Sequence, residues 1–139
     1  MAEQKLRVLL VEDEPSIAKT VGKRLEFAGY DVIIAADGQE GLDMAKAEQP
    51  DIIILDLMLP KLSGLKVCPL LRQDERTKAI PIVIFTSRDQ VVDKETCLKS
   101  GADSFVPKAA AFEVLLSELN ALLKRTGKVP PTPIRPPTT

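Results

Sequence analysis

Short, nearly unbroken apolar runs alternate along this chain with longer stretches whose apolar positions recur every three or four residues. Leu6-Arg7-Val8-Leu9-Leu10-Val11 lacks polar alternation, as expected of a strand buried on both faces. Glu12-Asp13-Glu14-Pro15 ends it. Pro15 suits the first position of a helix whose positive end favours acidic neighbours. Within that helix Ile17, Val21, Leu25 and Ala28 recur at helical spacing, and Gly29 fits its C-terminal turn. A second strand is predicted over 31–35, a turn at Asp37-Gly38, and a helix over 39–48 with Leu42, Ala45 and Ala47 on one face. Asp51 to Asp56 reads as a third strand, followed by a loop over 57–63 that ends near Gly64. The stretch 65–72 has helical spacing but contains Pro69. A proline inside a helix removes a hydrogen bond and costs about 3 kcal/mol, so this helix is expected to start late or kink. Further elements follow: a strand over 81–86, a helix over 89–100 ended by Gly101, a strand over 102–107 and a helix over 110–124.

This alternation predicts an α/β fold, a parallel sheet with helices on both faces. From Gly127 the chain reads GKVPPTPIRPPTT. Prolines at that density exclude a helix or a central strand. The organisation expected is one domain over 1–125 and a proline-rich linker or tail over 126–139, whose PxxP-like pattern also resembles an SH3-type ligand.

Composition narrows the function. The 139 residues suit a single core, and 45% hydrophobic with 28% charged residues is a globular balance. A formal net charge of -1 gives no general attraction to nucleic acid or to anionic membrane. The chain has no histidine, which excludes histidine catalysis or a phosphohistidine relay within it. It has no tryptophan and only 4% aromatic residues, too few for a base-stacking platform. Cys68 and Cys97 show no metal-ligand spacing and are expected to be reduced, semi-buried fillers. Neither a secretory leader nor a bilayer-spanning run is visible, so a cytoplasmic location is expected.

The charges that matter sit at the carboxyl ends of the predicted strands, the edge of an open parallel sheet where ligands bind. Glu12 and Asp13 follow the first strand, Asp56 ends the third, Thr86 and Ser87 end the fourth, and Lys108 follows the fifth. Each has an ordinary reading alone: helix capping for Glu12 and Asp13, a turn for Asp56, strand packing for Thr86, a solvated charge for Lys108. Their convergence on one edge is the signal. Three close carboxylates repel unless a cation joins them. Oxygen ligands select Mg²⁺, Ca²⁺ or Mn²⁺, and so few carboxylates suit Mg²⁺ that keeps several waters, with Mn²⁺ as a possible substitute.

The segments VLLVEDEP, GYDVIIAADGQEGL, PDIIILDLMLPKLSG, IPIVIFTS and GADSFVPK together resemble the receiver domain of two-component response regulators over roughly residues 5 to 125. The resemblance implies a flavodoxin-like, doubly wound sheet of five parallel strands in the order 2-1-3-4-5. It implies that Asp56 is the phospho-acceptor, that Asp13 holds Mg²⁺ directly and Glu12 through water, and that the backbone carbonyl of Met58 is a further ligand. Thr86 matches the switch hydroxyl, Lys108 the phosphoryl-binding cation and Phe105 the aromatic switch position, for which plain core packing is the alternative. The implied donor is a phosphohistidine on a sensor kinase or a histidine phosphotransfer protein. The implied output is an effector protein or further domain, reached through the face of the fourth helix, fifth strand and fifth helix, which could also form a homodimer. Ser87 is small enough to admit the donor, and Met58 and Arg88 flank the path of the water that hydrolyses the acyl phosphate, so both should modulate its lifetime.

One departure stands out. Proline usually follows the lysine in this family, often through a cis bond, whereas here Ala109 follows Lys108 and the proline stands before it as Pro107. A cis bond without proline costs about 2.5–4 kcal/mol. Lys108–Ala109 is therefore either trans with a displaced lysine or cis and held by its surroundings. This motivates a rival reading, a pseudo-receiver that binds partners without phosphorylation. A haloacid-dehalogenase-like phosphatase would need a second aspartate where Met58 stands. A flavodoxin would place phosphate beside Glu12-Asp13-Glu14, which would repel it.

Overall fold

The computed structural model describes residues 5–87 and 94–131. Its elements alternate as β1 (Arg7–Val11), α1 (Pro15–Phe27), β2 (Asp31–Ala35), α2 (Gly38–Glu48), β3 (Ile52–Leu55), α3 (Gly64–Gln73), β4 (Ile82–Thr86), α4 (Lys94–Lys99), β5 (Ser104–Pro107) and α5 (Phe112–Arg125). The five strands form one parallel sheet in the order β2-β1-β3-β4-β5. Apart from Arg7 at the start of β1 and Thr86 at the end of β4, the three central strands are apolar because both faces of the sheet are covered. On one face Val8, Leu10, Ile52, Ile54, Val83 and Phe85 pack with α1 and α5 residues such as Leu25 and Leu119. On the other, Leu9, Val11, Ile53, Leu55, Ile82 and Ile84 pack with Leu42, Val67, Leu71 and Cys97.

Several expectations are refined. α3 begins at Gly64, not late, and runs as one helix through Pro69 to Gln73. Its buried face of Gly64, Val67, Cys68 and Leu71 supplies the tertiary packing that tolerates a proline whose missing N–H would have bonded the Leu65 carbonyl. In α2 the buried stripe is Gly38, Gly41, Leu42 and Ala45, whereas Ala47 is exposed. The two glycines allow close approach: a Cβ on Gly41 would come within 2.9 Å of the Val11 methyls. Cys68 and Cys97 are fully buried thiols, not semi-buried, and burial pushes the Cys68 thiol up to about 11. Arg88 and the start of the predicted fourth helix lie outside the described residues.

Candidate phosphorylation site

The parallel register brings the strand ends to one edge. The Glu12 N–H continues the β1–β2 ladder to the Ala35 carbonyl at 3.0 Å, and the Asp56 N–H donates to the Val11 carbonyl at 3.2 Å. Across the sheet, the Lys108 N–H donates to the Thr86 carbonyl at 2.7 Å. Four residues from four separate segments are thus held by backbone bonds before any side chain is considered.

Asp56 is the centre. It is only 4% exposed, and both carboxylate oxygens are engaged. Oδ1 accepts from the Thr86 hydroxyl at 3.1 Å and from the Met58 N–H at 3.3 Å, the latter in the manner of an Asx turn. Oδ2 accepts from Lys108 Nζ at 2.7 Å. Lys108 also reaches Glu12 Oε1 at 2.6 Å, so one ammonium bridges two buried carboxylates. The other Glu12 oxygen accepts from the Glu14 N–H at 3.1 Å. Burial holds the Glu12 carboxyl above its ordinary value, although the Lys108 and Glu14 bonds pull it down. Burial pulls the Lys108 ammonium down, and its bonds to Asp56 and Glu12 more than reverse this, leaving it above the ordinary lysine value.

The sequence-predicted residues are therefore brought together. Glu12, Asp13 and Asp56 each place a carboxylate oxygen within 4.8 Å of the others, with Asp13 exposed at the mouth. Thr86 is fully buried, and Ser87 lies next to it at the rim. The Met58 side chain is 65% exposed beside the site. Phe105 is half-buried and packs on the α2–α3 side of the sheet, one strand across from Ile84. Lys108 is not displaced by the alanine that follows it. Among the described residues every peptide bond is trans, and Lys108 still reaches both carboxylates. Its backbone bond to Thr86 fixes the start of the side chain, and the long stem does the rest. The direct Glu12–Lys108 pair was not foreseen, because no spacing rule links residue 12 to residue 108.

The loop between β3 and α3 is tied to the starts of α2 and α3. Its Pro60 carbonyl accepts the Gly38 N–H at 3.3 Å, and its Leu57 carbonyl accepts the Gly64 N–H at 3.0 Å. Lys61 adopts φ 69° and lies 3.4 Å from Asp37, whose other oxygen caps α2 through the Glu40 N–H.

The sequence matches the response regulator receiver domain over residues 8–120. The chain belongs to this receiver family. It is 46% identical over 124 residues to the DNA-binding dual master transcriptional regulator RpaA of Synechocystis, covering 89% of this chain and 52% of the relative. It is 41% identical over 121 residues to the response regulator MprA of Mycobacterium tuberculosis, covering 87% and 52%. The chain thus spans about half the length of these curated relatives. The receiver fold is equally clear in solved structures. The chemotaxis response regulator CheY4 of Vibrio cholerae superposes with a TM-score of 0.78 at 32% identity, covering 86% of this chain and 99% of that one. The receiver domain of a Pseudomonas aeruginosa sensor histidine kinase, which has a magnesium ion coordinated in its active-site cleft, gives 0.80 at 28% identity, covering 87% and 99%. As a receiver domain of two-component signalling, the chain carries an acidic cluster fit for phosphorylation, and a phosphorylation-independent pseudo-receiver is not favoured. The donor set of three carboxylates at a partly open edge fits a hard, six-coordinate cation such as Mg²⁺.

Proposed function

We propose that Asp56 is the phospho-acceptor of this receiver, taking a phosphoryl group from a phosphohistidine on a sensor kinase or histidine phosphotransfer protein. The observation that carries this is the convergence of Thr86, Lys108 and the Met58 N–H on one buried carboxylate beside Glu12 and Asp13. A bound Mg²⁺ or Mn²⁺, held by Asp13, Asp56, the Met58 carbonyl and Glu12 through water, would neutralise charge on the phosphoryl oxygens.

An Asp56 oxygen attacks phosphorus in line. The new P–O bond forms as the P–N bond breaks, and its electron pair stays with the donor imidazole. The transition state is loose, so the residues act mainly by positioning and charge neutralisation. Lys108 supplies a fixed ammonium, and the small Ser87 leaves room for the donor. Water can attack the acyl phosphate along the same line, with the exposed Met58 side chain beside its path.

Phosphorylation adds roughly two negative charges and three acceptor oxygens. Two charge-assisted bonds from Thr86 and Lys108 would contribute about 3–6 kcal/mol if newly made. Both donors already bond Asp56, so the exchange contributes less than that sum. Inverting a 1:99 equilibrium takes about 5.5 kcal/mol, so a partner completes the shift. Movement of Thr86 toward the phosphoryl group would free space for Phe105 and remodel the α4-β5-α5 face, which we assign to the effector or to a second copy in a homodimer. We place this signalling in the cytoplasm. Among the described residues no helix is long and apolar enough to cross a membrane.

The test is intact mass after incubation with acetyl phosphate or phosphoramidate and Mg²⁺. The wild type gains one phosphoryl group and Asp56→Asn gains none. Equal labelling of the two would refute the assignment.

A further inference from the structure

The chain after α5 does not simply run off the helix end. α5 closes in a Schellman turn. Gly127 adopts φ 82° and donates to the Lys124 carbonyl at 3.0 Å, and the Lys128 N–H donates to the Leu123 carbonyl at 2.9 Å. The Thr126 hydroxyl adds a further bond to the Leu123 carbonyl at 2.8 Å. A residue with a Cβ at Gly127 would be strained in this left-handed conformation. The reversal aims Lys128 at the amino edge of the sheet, where its Nζ lies 2.5 Å from Asp51 Oδ1. Asp51 immediately precedes β3. Its other oxygen accepts the N–H of Arg7, the first residue of β1, at 2.7 Å. One carboxylate therefore joins the starts of two central strands to the residue just past the last helix.

We propose that Lys128 and Asp51 form a latch that docks the segment after α5 onto the amino edge of the sheet. Residues 126–128 then belong to the folded body, and the proline-rich sequence starts at Val129. That stretch departs beside the amino ends of β1 and β3, at the edge opposite Asp56. This goes beyond the phosphorylation reading and does not depend on it.

Trypsin tests the latch on the whole chain. To be cut after Lys128, the side chain must leave Asp51 and enter the protease's acidic specificity pocket. Val129 follows, so the bond is not protected by proline. In Asp51→Asn the single carbonyl oxygen can keep the Arg7 N–H while the amide group faces Lys128 and removes the attraction. Cleavage after Lys128, followed by mass, is expected to be roughly threefold to fivefold faster in this variant, the factor appropriate to a partly exposed ion pair. Lys128→Arg keeps both charge and cleavage site and is expected to be cut at about the wild-type rate. An unchanged rate in Asp51→Asn overturns the latch. So does a rise matched by cleavage after Lys46 inside α2, which would report loosening of the whole fold.

Discussion

Gly64 lies so close to Asp56 that a Cβ on it would overlap the Asp56 carbonyl oxygen and approach the Leu57 Cα to 2.9 Å. Its own N–H is bonded to the Leu57 carbonyl, so neither backbone can retreat without moving the end of β3. Gly38 stands against the Leu62 carbonyl in the same way, and the loop between β3 and α3 is wedged between the two glycines. Gly64→Ala is therefore expected to cost about 1–3 kcal/mol, as overpacking does, and to slow phosphorylation because the strain falls on the acceptor strand. Urea unfolding and the rate of mass gain with phosphoramidate measure the two effects. A variant that is destabilised but phosphorylated at the wild-type rate would show that the glycine serves folding alone.

Lys108 pairs with both buried carboxylates, Glu12 and Asp56. Removing one partner of a buried pair leaves its charge uncompensated, at about 3–5 kcal/mol. Lys108→Met is expected to lose stability of that order without metal and to regain part of it with Mg²⁺. The burial that already raises the Glu12 carboxyl then acts without its main counterweight. A carboxyl raised in the folded state is stabilising below its unfolded value, and that contribution is lost as pH rises through the folded value. The variant should therefore be relatively most stable in mild acid, which unfolding curves across the carboxylate range would reveal.

Tyr30 provides an alkaline counterpart far from the site. It is 1% exposed, its hydroxyl donates to Asn120 Oδ1 at 2.5 Å, and burial pushes the phenol up to about 12 from 10.0. A folded value above the unfolded one stabilises below pH 10 and loses that contribution as pH rises toward 12. The loss amounts to about 2–3 kcal/mol at 1.36 kcal/mol per unit. Tyr30→Phe should start lower by about 1 kcal/mol for the lost hydrogen bond, yet show a shallower alkaline decline. Chemical denaturation at pH 9 to 12 checks both.

Arg72 organises the amino edge. Its guanidinium donates to the Gly101 carbonyl at 2.9 Å, the Lys78 and Ile80 carbonyls at 2.9 and 2.6 Å, and Asp103 Oδ2 at 2.7 Å. Asp103 in turn accepts the Ile82 N–H at 2.8 Å, at the start of β4. Arg72→Ala is expected to cost about 2–4 kcal/mol, at roughly 0.5–1.5 kcal/mol per bond with part-exposed members discounted. Arg72→Lys should recover little, because an ammonium cannot reproduce the planar fork. Phosphorylation by phosphoramidate should persist in both, since these bonds lie at the edge opposite Asp56.

The order and kind of the elements were legible because each apolar run is short, rich in Val, Ile and Leu, and bounded by Asp, Gly or Pro. With β and α elements alternating, a parallel sheet follows, and a parallel sheet delivers its strand ends to one edge. That is why the sequence alone groups Glu12, Asp13, Asp56, Thr86 and Lys108. The family resemblance supplied their individual roles. Boundaries were less legible where tertiary contacts overrode local preference. α3 keeps Pro69 because its opposite face is buried, and α2 buries glycines where the pattern suggested Ala47.

Pairings between residues distant along the chain lay beyond any spacing rule. Lys108 meets Glu12, Lys128 meets Asp51, and Arg72 meets Asp103 only because the strands are packed side by side and the helices folded back upon them. The same packing showed that Ala109 does not displace Lys108, since a backbone bond to Thr86 and a flexible four-carbon stem carry its ammonium to the carboxylates. Local periodicity encodes which face of an element is apolar. Which charges meet at close range depends on the register between strands and the closure of loops, and both arise only when the whole core assembles.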